Sequence, residues 1–211
     1  MSNCNCPLPT ALEDIGAQGC PFNLGQLQRV IITRASNSTF PLTIASADPA
    51  VLATWTPLLT ASDDTKVVKT PLIGGNPAIV GGSAITQGGN DNSTLNGEVE
   101  VTGTESSVFT ADFKDLEPAI ARAIKLLKCE SVKVFFVNDA GDILGLQNKT
   151  TPGTVTTFDG VTVNGKSFFL SDRNNNGFGQ KDVNTLSFNL APGWDDYLMK
   201  VTPTDFNALT F

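Results

Sequence analysis

Residues 171–182, SDRNNNGFGQKD, carry oxygen-bearing side chains at alternating positions. Asp172, Asn174 and Asn176 match positions 1, 3 and 5 of a calcium loop, where a single wrapped chain supplies three ligands to a hard cation. A glycine follows at position 6, where such loops turn sharply, and Phe178 offers its main-chain carbonyl at position 7. The spacing therefore predicts the first half of a calcium site.

The second half of the pattern is incomplete. Position 12, which should be a bidentate glutamate, is Val183, and the nearest carboxylate, Asp182, comes one place early beside Lys181. The flanking stretches VTVNGKSFFL and NTLSFNL are typical of strands, not helices. Because Asn and Gly tolerate left-handed backbone, a polar hairpin turn is the alternative. The candidate ligands are Asp172, Asn174, Asn176, Phe178 and Asp182.

Catalytic chemistry has little support in the sequence. The chain contains no histidine, which removes the commonest general base at neutral pH. Asp139 and Asp142 resemble an acid/base pair but lie in the turn sequence NDAGD, where aspartates serve the local backbone. Cys129 follows a predicted helix, whose C-terminal dipole disfavours a thiolate. We therefore predict that the protein is not an enzyme.

The four cysteines are Cys4, Cys6, Cys20 and Cys129, and they do not form the paired CxxC knuckles of a zinc site. A disulfide joining Cys20 to Cys4 or Cys6 is sterically allowed. The N-terminal sequence has no basic and apolar signal pattern, which favours reduced thiols.

Composition points to a β-rich protein with a sparsely charged surface. Of 211 residues, 40% are hydrophobic and only 17% are charged, with a formal net charge of −7. No basic block appears, so tight binding of nucleic acid through its phosphates is not expected. No run of eighteen apolar residues appears, so no membrane-spanning segment is expected.

Apolar periodicity predicts a mainly β (α+β) fold. QLQRVIITRAS, VKVFFV and ILGL are among eight to ten expected strands, and short turns between them favour antiparallel pairing. One amphipathic helix is expected at DLEPAIARAIKLLKC, capped by Asp115 with Pro118 in its first turn. We predict an extended arm at 1–22 and a single domain at 23–211, an antiparallel β-sandwich or barrel with one packed helix.

A long Gly/Asn-rich segment at 74–97 is expected to be a loop that orders against a neighbouring subunit. Its apolar residues Ile79, Val80 and Ile85 favour an interface, since a solvated loop has no use for them. The chain ends on Phe211, which suggests a C-terminus packed against a partner. Downstream, GEVEVTG alternates valine with glutamate, which predicts a strand with one apolar and one acidic face.

The order and texture of these elements resemble virion structural proteins of tailed bacteriophages, most of all tail tube proteins. The resemblance runs from LGQLQRVIITR through TWTPLLTASDDTKVVKTPLIGG, NGEVEVTGTESSVFTADF and SVKVFFVNDAGDILG to VTPTDFNAL. The cysteine-rich start departs from it.

The resemblance implies a self-assembling subunit located in the virion and built in the host cytoplasm. Six copies would join sheet edges into a ring, and rings would stack through the arm and the long loop into a tube that passes DNA. An acidic lumen would suit Glu98 and Glu100 because it repels phosphates. No cofactor is implied.

Two other functions fit the same composition. A capsid decoration or head–tail connector protein would share the β-rich fold and the arm. A calcium-assisted, adhesin-like binding module would use the 171–182 loop, with Trp55 and Trp194 stacking on sugars, although a lone tryptophan in a β protein is more often core or interface.

Overall fold

The computed structural model describes residues 22–89, 93–148 and 155–211. The strands in them are β1 (Leu27–Arg34), β2 (Leu42–Thr43), β3 (Val67–Lys69), β4 (Gly75–Val80), β5 (Ala84–Gln87), β6 (Glu100–Thr104), β7 (Ser107–Lys114), β8 (Val132–Asn138), β9 (Ile143–Gln147), β10 (Thr157–Asp159), β11 (Val161–Thr162), β12 (Phe169–Leu170), β13 (Val183–Leu190) and β14 (Leu198–Val201). The helices are α1 (Leu52–Thr60) and α2 (Pro118–Leu126), with 3-10 turns at Leu95–Gly97 and Leu127–Cys129.

The strands form one large sheet, one small sheet and a separate hairpin. The large sheet has the order β2-β10-β9-β8-β1-β3, with β11 also pairing with β8 and β14 with β9. The small sheet has the order β12-β13-β7-β4, and β5 pairs only with β6. Every pairing between these strands is antiparallel, as predicted. The mainly β sandwich architecture is thus confirmed.

The large sheet is buried on both faces, which explains its continuous apolar strands. On β8, Val134 and Phe136 face the small sheet, where Phe136 meets Phe109 at a ring distance of 5.3 Å. Phe135 and its neighbours on the other face pack beneath α1 and the C-terminal segment. Because side chains alternate along a strand, the apolar runs of β1 and β8 each serve two cores.

The two helices close the two cores from opposite sides. α1 buries Trp55, whose indole Nε1 donates to the carbonyl of Pro49 at 2.9 Å. α2 buries Ile124 against the core between the sheets. In the described ranges, neither helix is long and apolar enough to cross a membrane.

Three local predictions differ from the structure. The 74–97 segment is not one loop, since it contains β4, paired with β7, and β5, although residues 90–92 lie outside the described part. Asp115 does not cap α2, because its backbone is left-handed (φ 51°) and the cap position is Glu117. The predicted eight to ten strands become fourteen in the described residues, because several two-residue strands have no periodic signal.

Candidate functional site

The hairpin of β5 and β6 is a two-stranded ribbon, residues 84–104, that stands apart from both sheets. Its strands pair only with each other, with Thr86 opposite Val101 and Gln87 opposite Glu100. No described residue between 81 and 106 is buried. A two-stranded hairpin alone is marginally stable in water. The ribbon therefore lacks the covering layer that the rest of the fold has.

Large apolar side chains of the ribbon are open to solvent. Leu95 is 79% exposed, Val99 64% and Val101 69%, and Ile85 is 47% exposed. On β6, Glu100 and Val101 point to opposite faces of the ribbon, because successive side chains alternate along a strand. Glu98 and Val99 come directly before the strand, and both are exposed. The predicted strand is confirmed at 100–104, but its apolar face covers no core in this chain.

The ribbon joins the sandwich at one narrow neck. The main-chain nitrogen of Glu105 donates to the carbonyl of Ser83 at 2.8 Å, so the two chain segments already form a hydrogen-bonded pair there. A Cβ added to Gly82 would lie 1.9 Å from the carbonyl oxygen of Glu105, so only glycine permits this approach. The ribbon can be removed at this neck without cutting either sheet.

The other predicted interface residues have mixed environments. Ile79 is half-buried and packs against the core between the sheets, while its neighbour Val80 is 62% exposed. Phe211 packs within its own chain, at ring distances of 4.8 Å from Phe206 and 6.4 Å from Trp55. A packed C-terminus was expected, and these contacts are intramolecular. A role for these residues in assembly stays a prediction.

A groove lined by cations runs along α2. Its basic residues are Arg122, Lys125, Lys128 and Arg173, and we call it the basic groove. Its main hollow has a volume of about 530 Å³, and an adjoining hollow of about 230 Å³ shares Lys125 and Lys128 and reaches Phe169 on β12. Sequence interpretation missed this site, although the three helix-borne cations recur at every third residue, a spacing that places them along one side of a helix.

The predicted calcium loop forms one wall of this groove. The side chain of Asp172 accepts a hydrogen bond from Lys125 on α2, and this bond and the charge of Lys125 lower the pKa of Asp172. Arg173 donates to the carbonyl of Leu116 at the start of α2. The main-chain nitrogen of Asp115 donates to the carbonyl of Asp182 at 2.9 Å. The loop is thus bonded to α2 through Asp172, and to the segment just before α2 through Arg173 and Asp182.

Within the loop, the side-chain oxygens of Asn176 and Asp182 already accept hydrogen bonds from other side chains. Asn174 donates through Nδ2 to Oδ1 of Asn176 at 3.0 Å. The two carboxylate oxygens of Asp182 accept from Asn175 at 2.9 Å and from Arg173 at 3.4 Å. A bound calcium ion would have to displace these donors. Asn174 also bridges to Val183, which makes the segment a hairpin, and Phe178 at its tip is fully exposed.

Both tryptophans form hydrogen bonds within the chain, and the cysteine in the described residues is exposed. Trp55 is 0% exposed, so it is not available to stack on a sugar, and Trp194 donates through Nε1 to Ser107 Oγ at 3.2 Å. Cys129 is an exposed free thiol, whereas Cys4, Cys6 and Cys20 lie outside the described residues, as does the arm up to residue 21. In the described part, no cluster of three or more His, Cys, Asp or Glu residues is placed to hold a metal.

The two turn aspartates differ in burial. Asp139 is exposed and accepts from the main-chain nitrogen of Gln26 at 3.2 Å. Asp142 is 5% exposed and accepts from Thr202 Oγ1 at 2.6 Å and from Asn138 Nδ2 at 3.2 Å, with Lys200 Nζ at 3.3 Å. The local Asx turn expected of the aspartates is made by Asn138 instead, whose Oδ1 accepts two main-chain N–H groups.

Comparison with known proteins gives a weak structural likeness and no match by sequence. No protein-family model matches the sequence, and no curated protein matches it either. Among solved structures, a chain of the "Cryo-EM structure of the anti-feeding prophage (AFP) baseplate, 6-fold symmetrised" aligns with a TM-score of 0.29 and 10% identity. The alignment covers 92% of this chain and 100% of that chain. A likeness of this size does not establish a shared function.

Proposed function

We propose that this chain is a structural, non-catalytic subunit of a phage-like virion. Its copies would assemble into rings that stack into a tail tube through which DNA passes. The observation that carries the proposal is the uncovered ribbon, which exposes four large apolar side chains, Ile85, Leu95, Val99 and Val101. Exposed apolar surface of this kind marks a protein interface.

Three further features support assembly with other copies. β4 and β12 are the edge strands of the small sheet, and unpaired strand edges are templates for pairing with another chain. The net charge of −7 suits a wall past which DNA moves without binding. The order and composition of the sequence elements resemble those of tail tube proteins. The ring of six subunits and the contacts with other virion proteins follow from that resemblance alone.

The proposal is tested by electron microscopy and sedimentation velocity on the concentrated protein. We expect rings or stacked tubes with a central hole. In a matched variant, residues 84–104 are replaced by Asn-Gly, which forms a two-residue hairpin turn between Ser83 and Glu105. Because no described ribbon residue is buried, this variant should keep the melting temperature and lose assembly.

A milder variant tests the apolar side chains without removing the ribbon. Val99 and Val101 are both changed to Thr, which keeps the branched shape and strand preference but adds hydroxyl groups. Assembly should weaken while the circular dichroism spectrum stays the same. Tubes formed equally well by both variants would refute the role of the ribbon. A wild-type chain that stays monomeric would refute self-assembly and favour a decoration or connector protein that needs its lattice.

Calcium binding at residues 171–182 is a second proposal, which would make the chain a calcium-assisted binding module. Its support is the placement of Asp172, Asn174, Asn176 and Asp182 in one hairpin. If calcium binds there, millimolar calcium should raise the melting temperature, and Asp172→Ala should abolish the rise while Asp139→Ala keeps it. An unchanged melting temperature with calcium and with chelator would contradict the proposal.

A further inference from the structure

The outer edge of β6 is free to enter another surface. β6 pairs with β5 on one side only, and no described strand pairs with it on the other. A strand that enters a groove edge-on presents its two faces to the two walls. If the alternation of β6 continues through the two residues before it, one wall would meet Glu98 and Glu100, and the other would meet Val99 and Val101.

The basic groove has two walls of matching chemistry. The helix wall carries Arg122, Lys125 and Lys128, and the strand wall carries Phe169, which is 56% exposed at the edge of the small sheet. Lys125 is paired with Asp172. Arg122 and Lys128 form no ion pair with any described residue, so both are available to a carboxylate from outside.

The basic groove is lined by positively charged side chains on a molecule whose net charge is negative. Copies of a chain with net charge −7 repel each other at long range. Association then needs a local patch of the opposite sign, and charge complementarity across an interface also selects the correct partner. Of the four cations of the basic groove, Lys125 is paired with Asp172 and Arg173 with Asp182, which leaves Arg122 and Lys128 to supply the local positive charge. Glu100 of β6, together with Glu98 two residues earlier, is its complement on the same chain.

We infer that the basic groove of one copy receives strand β6 of a second copy edge-on, together with the two residues that precede the strand. Glu98 and Glu100 would then lie against Arg122 and Lys128, and Val99 and Val101 against Phe169. The inference rests on the proposed self-assembly and names the contact between neighbouring copies. It places Glu98 and Glu100 at a subunit interface, not at a surface facing DNA.

The test is a charge swap between two chains. In the ribbon variant, Glu98 and Glu100 are both changed to Lys. In the groove variant, Arg122 and Lys128 are both changed to Glu. The matched control changes Lys66 and Lys166 to Glu, two exposed lysines that do not line the groove. The groove variant and the control make the same change in net charge, so they differ only in position.

Each variant is first checked for folding by its melting temperature and then assayed for assembly by sedimentation and electron microscopy. The ribbon and groove variants should each raise the concentration needed for assembly at least about tenfold, because like charges then face each other. The control should assemble like the wild type. An equal mixture of the ribbon and groove variants should assemble again, since each ribbon then meets an oppositely charged groove on the other chain.

The outcomes separate this contact from the proposed function. If the wild type forms rings or tubes and either variant assembles as well as the control, the contact is refuted while self-assembly stands. If both variants fail and their mixture also fails, the ribbon and groove do not meet each other, and the inference is refuted. A wild type that stays monomeric at every concentration refutes both the proposed function and this contact.

Discussion

Replacing Asp142 with Asn should destabilise the fold by more than any surface change. The carboxylate is 5% exposed and is met by three donors, from Thr202, Asn138 and Lys200. In Asp142→Asn, Oδ1 can still accept the hydrogen bond from Thr202. An NH₂ group replaces Oδ2, and it would face Nδ2 of Asn138 and Nζ of Lys200, which are both donors. Loss of the hydrogen bond from Asn138 and of the buried charge should lower the free energy of unfolding by about 2 to 3 kcal/mol. The ion pair with Lys200 adds little to this figure, because that side chain is half-exposed and solvent screens its charge.

The pH dependence follows from the lowered pKa of Asp142. Burial raises this pKa, but the hydrogen bonds from Thr202, Asn138 and Lys200, together with the charge of Lys200, outweigh burial and lower it. An aspartate with a lowered folded pKa stabilises the protein above its unfolded pKa of about 3.9, and this stabilisation is lost as the pH falls through the folded pKa. The difference in the free energy of unfolding between the wild type and Asp142→Asn should therefore decrease below about pH 4.

The assay is urea unfolding followed by tryptophan fluorescence, since Trp55 is fully buried, at pH 7 and near pH 3. Asp139→Asn is the control, because that aspartate lies in the same turn but is exposed. It should change stability by less than about 1 kcal/mol at both pH values. An Asp142→Asn protein within about 0.5 kcal/mol of the wild type at pH 7, or a gap that is unchanged at low pH, would refute the reasoning.

Three further predictions concern the two cores and the exposed thiol. Phe188→Ala should cost about 3 to 5 kcal/mol in urea unfolding, because the ring is 1% exposed and stacks on Phe109 at 4.6 Å; a cost below about 1 kcal/mol would contradict this packing. Phe211→Ala should cost about 1 to 2 kcal/mol, since the ring is half-buried against Phe206; an unchanged urea midpoint would mean that the C-terminal contacts are not stabilising. Cys129 should react with a thiol reagent in the folded protein, and Cys129→Ser should remove one fast-reacting thiol.

The sequence pattern alone predicted an element correctly where the apolar residues form a run or recur at the spacing of that strand or helix. The runs VIIT and VFFV predicted strands, and they became β1 and β8, buried on both faces. The amphipathic pattern predicted a helix at DLEPAIARAIKLLKC, and α2 forms within it at Pro118–Leu126. Its cap was predicted wrongly because Asp115 has an equally good use for its side chain. That side chain accepts from the main-chain nitrogen of Asp182, a residue distant in sequence.

Composition gave a wrong prediction where a strand forms by pairing with a segment that is distant in the sequence. The segment 74–97 is rich in Gly and Asn, which favour loops, yet β4 forms there because residues 75–80 pair with β7. The basic groove was missed for the same reason. The spacing of Arg122, Lys125 and Lys128 is visible in the sequence, but the opposite wall comes from residues 169–173, which only the folded chain brings to the helix.

The sequence GEVEVTG connects the fold to the proposed function. Alternation of Val and Glu is typical of a strand with one face on a core and the other in water. The strand formed, but 69% of Val101 is exposed and the ribbon covers no core of its own chain. A pattern suited to burial, on a strand that nothing covers, is expected when the covering layer belongs to another molecule. In the contact we propose, the basic groove of a second copy is that layer, so charge reversal at the groove tests the contact directly.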